Sequence, residues 1–134
     1  MESYMNRISN TGIVPVVKIL EKEDAYPLAK ALLNGGIDVI EVTYRSEHAT
    51  SAIQTISEQL PDMLVGAGTV LSVEQAKEAV ETGAKFIITP GFNTKVVQWC
   101  LDHDVEVYPG VSTASEVEMA LSMGLTQLKF FPAE

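Results

Sequence analysis

Apolar runs and amphipathic stretches alternate along the chain. Residues 13–19 (IVPVVKI) form a continuous, largely β-branched run, the pattern of a strand buried on both faces. Residues 24–33 then place Ala25, Leu28, Ala29 and Leu32 at helical spacing and stop at Gly35-Gly36, a helix with a glycine end. The same sequence of signals recurs. Strands are predicted at 37–43, 63–67, 86–89, 105–108 and 127–131, and helices at 47–59, 73–82, 94–102 and 114–123. Residues 2–10 read as a short polar helix or arm. Ser72 with Gln75, and Thr113 with Glu116, have the spacing of capping boxes at two helix starts. Pro90-Gly91 and Pro109-Gly110 read as strand stops.

The repeat decides the fold class. Helix, glycine, strand and polar loop return every 20–27 residues or so, as in Gly36-Ile37, Gly83-Ala84 and Gly124-Leu125. Strict alternation with short loops implies α/β architecture with parallel strands. An open doubly wound sheet and a closed TIM-type barrel both fit that pattern. The barrel is favoured because the units are similar in size. In addition, Gly66-Ala67-Gly68 is followed by Thr69, Val70 and Leu71, without the third glycine of a dinucleotide loop. About six strands and five main helices are predicted in residues 1–134, whereas a barrel has eight units. The expectation is therefore a single, incomplete (β/α) barrel and a chain cut short after its sixth strand.

Composition narrows the function. The chain is 46% hydrophobic and 20% charged, with a formal net charge of -9. That charge argues against a general affinity for nucleic acid or an anionic membrane. No apolar run reaches the length of a membrane span. One cysteine, Cys100, has no internal partner and sits in a helical pattern beside Trp99 and Leu101. This reads as packing and fits a reducing cytoplasm. His48 and His103 fall on helices and read as surface residues, and no cluster has metal-ligand spacing.

The candidate chemistry gathers at strand ends, where barrels keep their active sites. Lys129 lies inside the apolar strand Gln127-Leu128-Lys129-Phe130-Phe131. Two readings are open for it. Its stem packs while its head reaches water, or burial discharges it and leaves an amine that attacks ketones. Alternation puts Glu41, Thr43 and Arg45 on one face if the strand runs that far, and Ile40 and Val42 on the other. Lys129 and Phe131 share a face in the last strand. A glutamate, an arginine and a lysine converging on one barrel mouth suit an anionic carbonyl substrate. The arginine can grip a carboxylate with two prongs, the lysine can form an imine, and the glutamate can move protons. Imine chemistry needs no metal or other cofactor, because the iminium is the electron sink. Thr69 adds a hydroxyl, and Pro90 and Phe131 add dry walls. Lys18 ends the first strand.

These segments together resemble the 2-keto-3-deoxy-6-phosphogluconate / 4-hydroxy-2-oxoglutarate aldolase family, class I aldolases on a TIM barrel. The resemblance is carried by residues 36–45 (GIDVIEVTYR), 65–70 (VGAGTV), 88–91 (ITPG), 109–113 (PGVST) and 128–134 (LKFFPAE). It implies that Lys129 is the Schiff-base lysine and Glu41 the proton acceptor and donor. By the same resemblance Arg45, Thr69, Pro90 and Phe131 are substrate-binding. Lys18 stands where many members have arginine, so the charge is kept and the planar fork is lost. The implied substrates are small 2-keto acids, often phosphorylated, and the implied assembly is a homotrimer. The family continues through two more strands whose loops bind phosphate, and no residue here takes that role. Two rival readings are a phosphosugar isomerase or synthase barrel in which Lys129 only binds charge, and a non-catalytic fragment.

Overall fold

The structure is a computed structural model that describes residues 3–133. Met1, Glu2, where the expected arm begins, and Glu134, at the end of the last matching segment, lie outside the described residues. The elements are α1 (Met5–Thr11), β1 (Val16–Val17), α2 (Ala25–Asn34), β2 (Val39–Thr43), α3 (Ala49–Gln59), β3 (Leu64–Gly68), α4 (Val73–Thr82), β4 (Phe86–Thr89), α5 (Thr94–Asp102), β5 (Glu106–Val111), α6 (Ala114–Ser122) and β6 (Lys129–Phe130). The six strands form one sheet in the order β1-β2-β3-β4-β5-β6, parallel at every pairing. This is an incomplete barrel of α/β type. Among the described residues no helix is long and apolar enough to cross a membrane.

Strand alternation divides the apolar residues into two cores. Ile40, Val42, Val65, Ala67, Ile87 and Val107 face the helices and pack with Ala29, Ile53, Ala76, Val96 and their neighbours. Val39, Leu64, Phe86, Ile88 and Tyr108 face the inner side of the sheet. There Tyr4, Met5 and Ile8 of the N-terminal segment pack against them. Val39, Leu64 and Phe86 are the first residues of their strands, so α1 covers the end of the sheet opposite the strand C-termini. Arg7 Nε lies 3.0 Å from Asp38 Oδ2, and the Tyr4 N–H donates to the Glu106 carboxylate at 2.9 Å.

The predicted helices and caps are present. Ser72 Oγ accepts from the Gln75 N–H and Thr113 Oγ1 from the Glu116 N–H, each at 3.2 Å. The acidic run at 21–24 forms a 3-10 turn, Lys22–Asp24, leading into α2. Three strands depart from expectation. The first is two residues long rather than seven, and Ile13 and Val16 are 61% and 51% exposed. It has one hydrogen-bonded neighbour, so its inner face lacks a strand on the far side to bury it. The fifth runs through Pro109-Gly110 to Val111. A Cβ on Gly110 would fall 2.0 Å from the Pro90 carbonyl oxygen. The Pro-Gly pair therefore lets the end of β4 approach β5 closely instead of stopping the strand. The sixth is limited to two residues because it pairs only with Gly110 and Val111.

Cys100 is fully buried, and burial pushes its thiol up to about 12, which makes it an inert packing residue. His103 is exposed at the end of α5, stacked on Trp99. His48 is half-buried as the N-cap of α3 rather than a residue within the helix.

Candidate active site

The site begins with two strands of unequal bulk. Glu41 of β2 aligns with Val16 of β1 and Gly66 of β3. Alternation turns it inward, between Val39 and Thr43. Beside it, β3 presents Leu64, Gly66 and Gly68 on the same side. A Cβ on Gly66 would meet the Phe86 ring at 2.1 Å, and one on Gly68 would meet Glu41 Oε1 at 1.8 Å. The missing side chains are thus spaces already filled, one by a ring and one by a carboxylate. The Gly-Ala-Gly segment is a flat strip on a strand and not a phosphate loop.

Glu41 is 2% exposed, and its Oε1 has no hydrogen-bond partner among the described residues. Burial raises its pKa above the ordinary 4.5, and the positive charges of Lys129 and then Arg45 pull in the other direction. A buried carboxyl held between desolvation and two cations is placed to exchange a proton nearer neutral pH than a solvated one.

Arg45 lies on the turn beyond β2 and is exposed. The strand stops at Thr43, so alternation does not carry Arg45 into the site. Its side chain instead folds back, and Nε donates to Thr43 Oγ1 at 3.2 Å. Lys129 is half-buried at the start of β6, aligned with Gly110 of β5, and its Nζ lies 4.6 Å from the centre of the Phe131 ring. That separation is a cation–π contact. Thr69 follows β3 with φ 53, a left-handed backbone that threonine rarely adopts. Pro90 follows β4 and lines a cavity of about 460 Å3 with Thr89, Val70, Phe92 and Asn93. Lys18, beyond β1, is exposed and borders a different cavity with Leu20, Asp24 and Pro27 near α2.

The structure therefore sets the Lys129 and Arg45 charges against Glu41, with Phe131 under the amine. Thr69 and Pro90 stand at the same strand ends, and Lys18 borders the α2 cavity. The sequence pattern assigns no role to Thr43 or Gly68. Their signals were there: a threonine two residues before the arginine, and a glycine in register with Thr43 on the neighbouring strand.

Residues 4–134 match the family model for KDPG and KHG aldolase. The chain belongs to the KDPG and KHG aldolase family. Within that family it is 47% identical over 134 residues to the 2-dehydro-3-deoxy-phosphogluconate aldolase of Treponema pallidum, covering 100% of this chain and 64% of that protein. It is 44% identical over 128 residues to the KHG/KDPG aldolase of Escherichia coli K12, covering 95% and 60%. The chain thus spans less than two thirds of these curated relatives. Its fold matches the crystal structure of KDPG aldolase from Legionella pneumophila with a TM-score of 0.87 at 42% identity, covering 90% of this chain and 58% of that one. That crystal holds pyruvate captured at low pH as a covalent carbinolamine intermediate.

Proposed function

We propose that the protein is a class I aldolase, a lyase that reversibly cleaves 2-dehydro-3-deoxy-6-phosphogluconate to pyruvate and glyceraldehyde 3-phosphate. The same reaction, in addition or instead, takes 4-hydroxy-2-oxoglutarate to pyruvate and glyoxylate. The observation that carries this reading is the buried carboxylate of Glu41, unpartnered at Oε1 and under the charges of Lys129 and Arg45. The names of the relatives, and the carbinolamine held by the Legionella enzyme, support the same chemistry.

In this reading Arg45 grips the substrate carboxylate. The Nζ lone pair of Lys129 adds to the C2 carbonyl, and the carbinolamine hydroxyl takes up a proton from solvent and leaves as water, giving an iminium. Glu41 takes the proton of the C4 hydroxyl as the C3–C4 bond breaks, and the bond's electron pair moves into the iminium to give an enamine. The aldehyde leaves. Glu41 returns its proton to C3, and water hydrolyses the new iminium to release pyruvate, the free amine and a proton to solvent. Thr69 donates a hydroxyl hydrogen bond, and Pro90 and Phe131 keep the iminium dry. Lys18, which borders the separate cavity near α2, takes no step in this reaction. The substrates are small 2-keto acids; we place the enzyme in a reducing cytoplasm, which its one unpaired cysteine fits, and as a homotrimer by family resemblance.

Borohydride reduction in the presence of pyruvate tests the assignment. Peptide mass spectrometry should find the reduced adduct on Lys129 and none in Lys129→Ala. Lys129→Arg, which keeps the charge but cannot form the imine, should also lack it. No adduct in the unmutated protein, or an adduct surviving Lys129→Ala, overturns the reading.

A further inference from the structure

We propose that Thr43 is a positioning residue that fixes the pose of Arg45 and leaves only its two terminal amino groups free for a substrate carboxylate. This rests on the reading that Arg45 binds that carboxylate. Thr43 is the last residue of β2 and is 1% exposed. Its Oγ1 lies 2.8 Å from the Val17 carbonyl oxygen and 3.2 Å from Arg45 Nε. The direction of both bonds is forced. A carbonyl only accepts and a guanidinium only donates, so the single hydroxyl proton goes to Val17 and a lone pair receives Arg45 Nε–H. The result is a one-way chain from Arg45 through Thr43 to the edge strand.

Two consequences follow. Arg45 is exposed on a turn, where a free side chain samples many rotamers. Threonine has a branched Cβ with a restricted χ1, and its buried hydroxyl gives the guanidinium one fixed anchor. A guanidinium can present either its Nε–Nη edge or its two Nη groups to a carboxylate, and the choice sets the angle of approach. With Nε–H held by Thr43, the end-on fork is the one available.

The test compares Thr43→Val, Thr43→Ala and Thr43→Ser by two measurements. In nitrogen-15 NMR, the Arg45 Nε–Hε resonance, identified by its loss in Arg45→Lys, should be protected from solvent exchange in the unmutated protein and in Thr43→Ser. It should shift and exchange freely in the other two. In borohydride trapping, the pyruvate concentration for half-maximal adduct should rise about tenfold in Thr43→Val and Thr43→Ala, the effect of one net hydrogen bond. The limiting trapping rate should hold, and serine should restore the concentration dependence. An unchanged Nε–Hε signal in both Thr43→Val and Thr43→Ala overturns the proposal, as does unchanged pyruvate dependence in a protein that forms the adduct. If the unmutated protein forms no adduct, the aldolase reading falls while the NMR comparison still decides whether Thr43 holds Arg45.

Discussion

Glu41 Oε1 occupies the space in which a side chain on Gly68 would begin, 1.8 Å from the ideal Cβ position, with Cδ at 2.6 Å. Both residues lie on paired, fully buried strands, so the backbone has little room to yield and the carboxylate must move. Gly68→Ala is therefore expected to act as a lesion of Glu41. A displacement of about 1 Å at a reacting group can cost roughly 100-fold. We expect that loss in kcat for cleavage, with pyruvate still trapped on Lys129 because the amine is untouched. Cleavage within a few-fold of normal would show that Glu41 does not depend on this space.

Replacing the carboxylate itself should have opposite effects on stability and activity. Burial raises the Glu41 pKa in the folded chain above its ordinary 4.5. The folded state then holds a proton that the unfolded state has released, so ionising Glu41 lowers stability as pH rises through the folded value. Glu41→Gln removes that penalty. Urea unfolding should find the variant more stable than the parent at pH 7, with the difference fading below pH 4.5, where both states are protonated, while cleavage is lost. A gap independent of pH would mean that the carboxylate is not desolvated as described.

Much of this was legible in the sequence, for identifiable reasons. Strands β2 and β4 have neighbours on both sides and helices over one face, so apolar runs such as 37–43 and 86–89 report them directly. Runs at the sheet edges mislead. Residues 13–19 and 127–131 have the composition of buried strands, yet each pairs on one side only, and regular structure shrinks to Val16–Val17 and Lys129–Phe130. Alternation within β2 turns Glu41 and Thr43 to one face; it reaches Arg45 only if the strand runs that far, and β2 stops at Thr43, so a hydrogen bond and not the pleat orients that side chain. In the sequence, the glycines of β3 show only that a dinucleotide loop is lacking its third glycine. Their purpose is visible only once the register places Phe86 and Glu41 against them.

The other glycine of that strip makes a prediction about the fold alone. A Cβ on Gly66 would fall 2.1 Å from Phe86 Cε2 and 2.2 Å from Cζ. The ring is fully buried and packs against Tyr108 at a centroid distance of 5.7 Å. Gly66→Ala should cost about 1–3 kcal/mol, as overpacked cores do. Phe86→Leu shortens the side chain at that contact and leaves a cavity with its own cost. The double variant should therefore be more stable than the sum of the two losses implies, by at least about 0.5 kcal/mol. Simple additivity in denaturant titrations would place the alanine methyl somewhere other than against the ring.

Helix α1 covers the far end of the inner core and is held there by polar contacts as well as apolar ones. Arg7 Nε pairs with Asp38 Oδ2 at 3.0 Å, Arg7 Nη2 donates to the carbonyls of Asp38 and Asp62, and Thr11 Oγ1 donates to Asp38 Oδ1 at 2.6 Å. These bonds hold α1 to the start of β2. The Thr11 hydroxyl is the largest influence on the Asp38 carboxyl; burial opposes it, and Arg7 adds to it, so that the carboxyl is held below its ordinary 3.8. A lowered folded pKa stabilises the fold above 3.8, and that contribution is lost as pH falls through the folded value. Both side chains of the pair are 39% exposed, so the ion pair itself is worth no more than about 1 kcal/mol. Arg7→Met and Asp38→Asn should therefore loosen α1 without unfolding the sheet. Hydrogen exchange at pH 7 should show the Ile8 and Gly12 amides, bonded to the Tyr4 and Ile8 carbonyls, opening about fivefold faster. Amides of α3 should keep their protection. For Asp38→Asn the difference from the parent should vanish in acid below the folded pKa. Unchanged exchange in α1 at pH 7 would leave apolar packing of Tyr4, Met5 and Ile8 as what holds the helix in place.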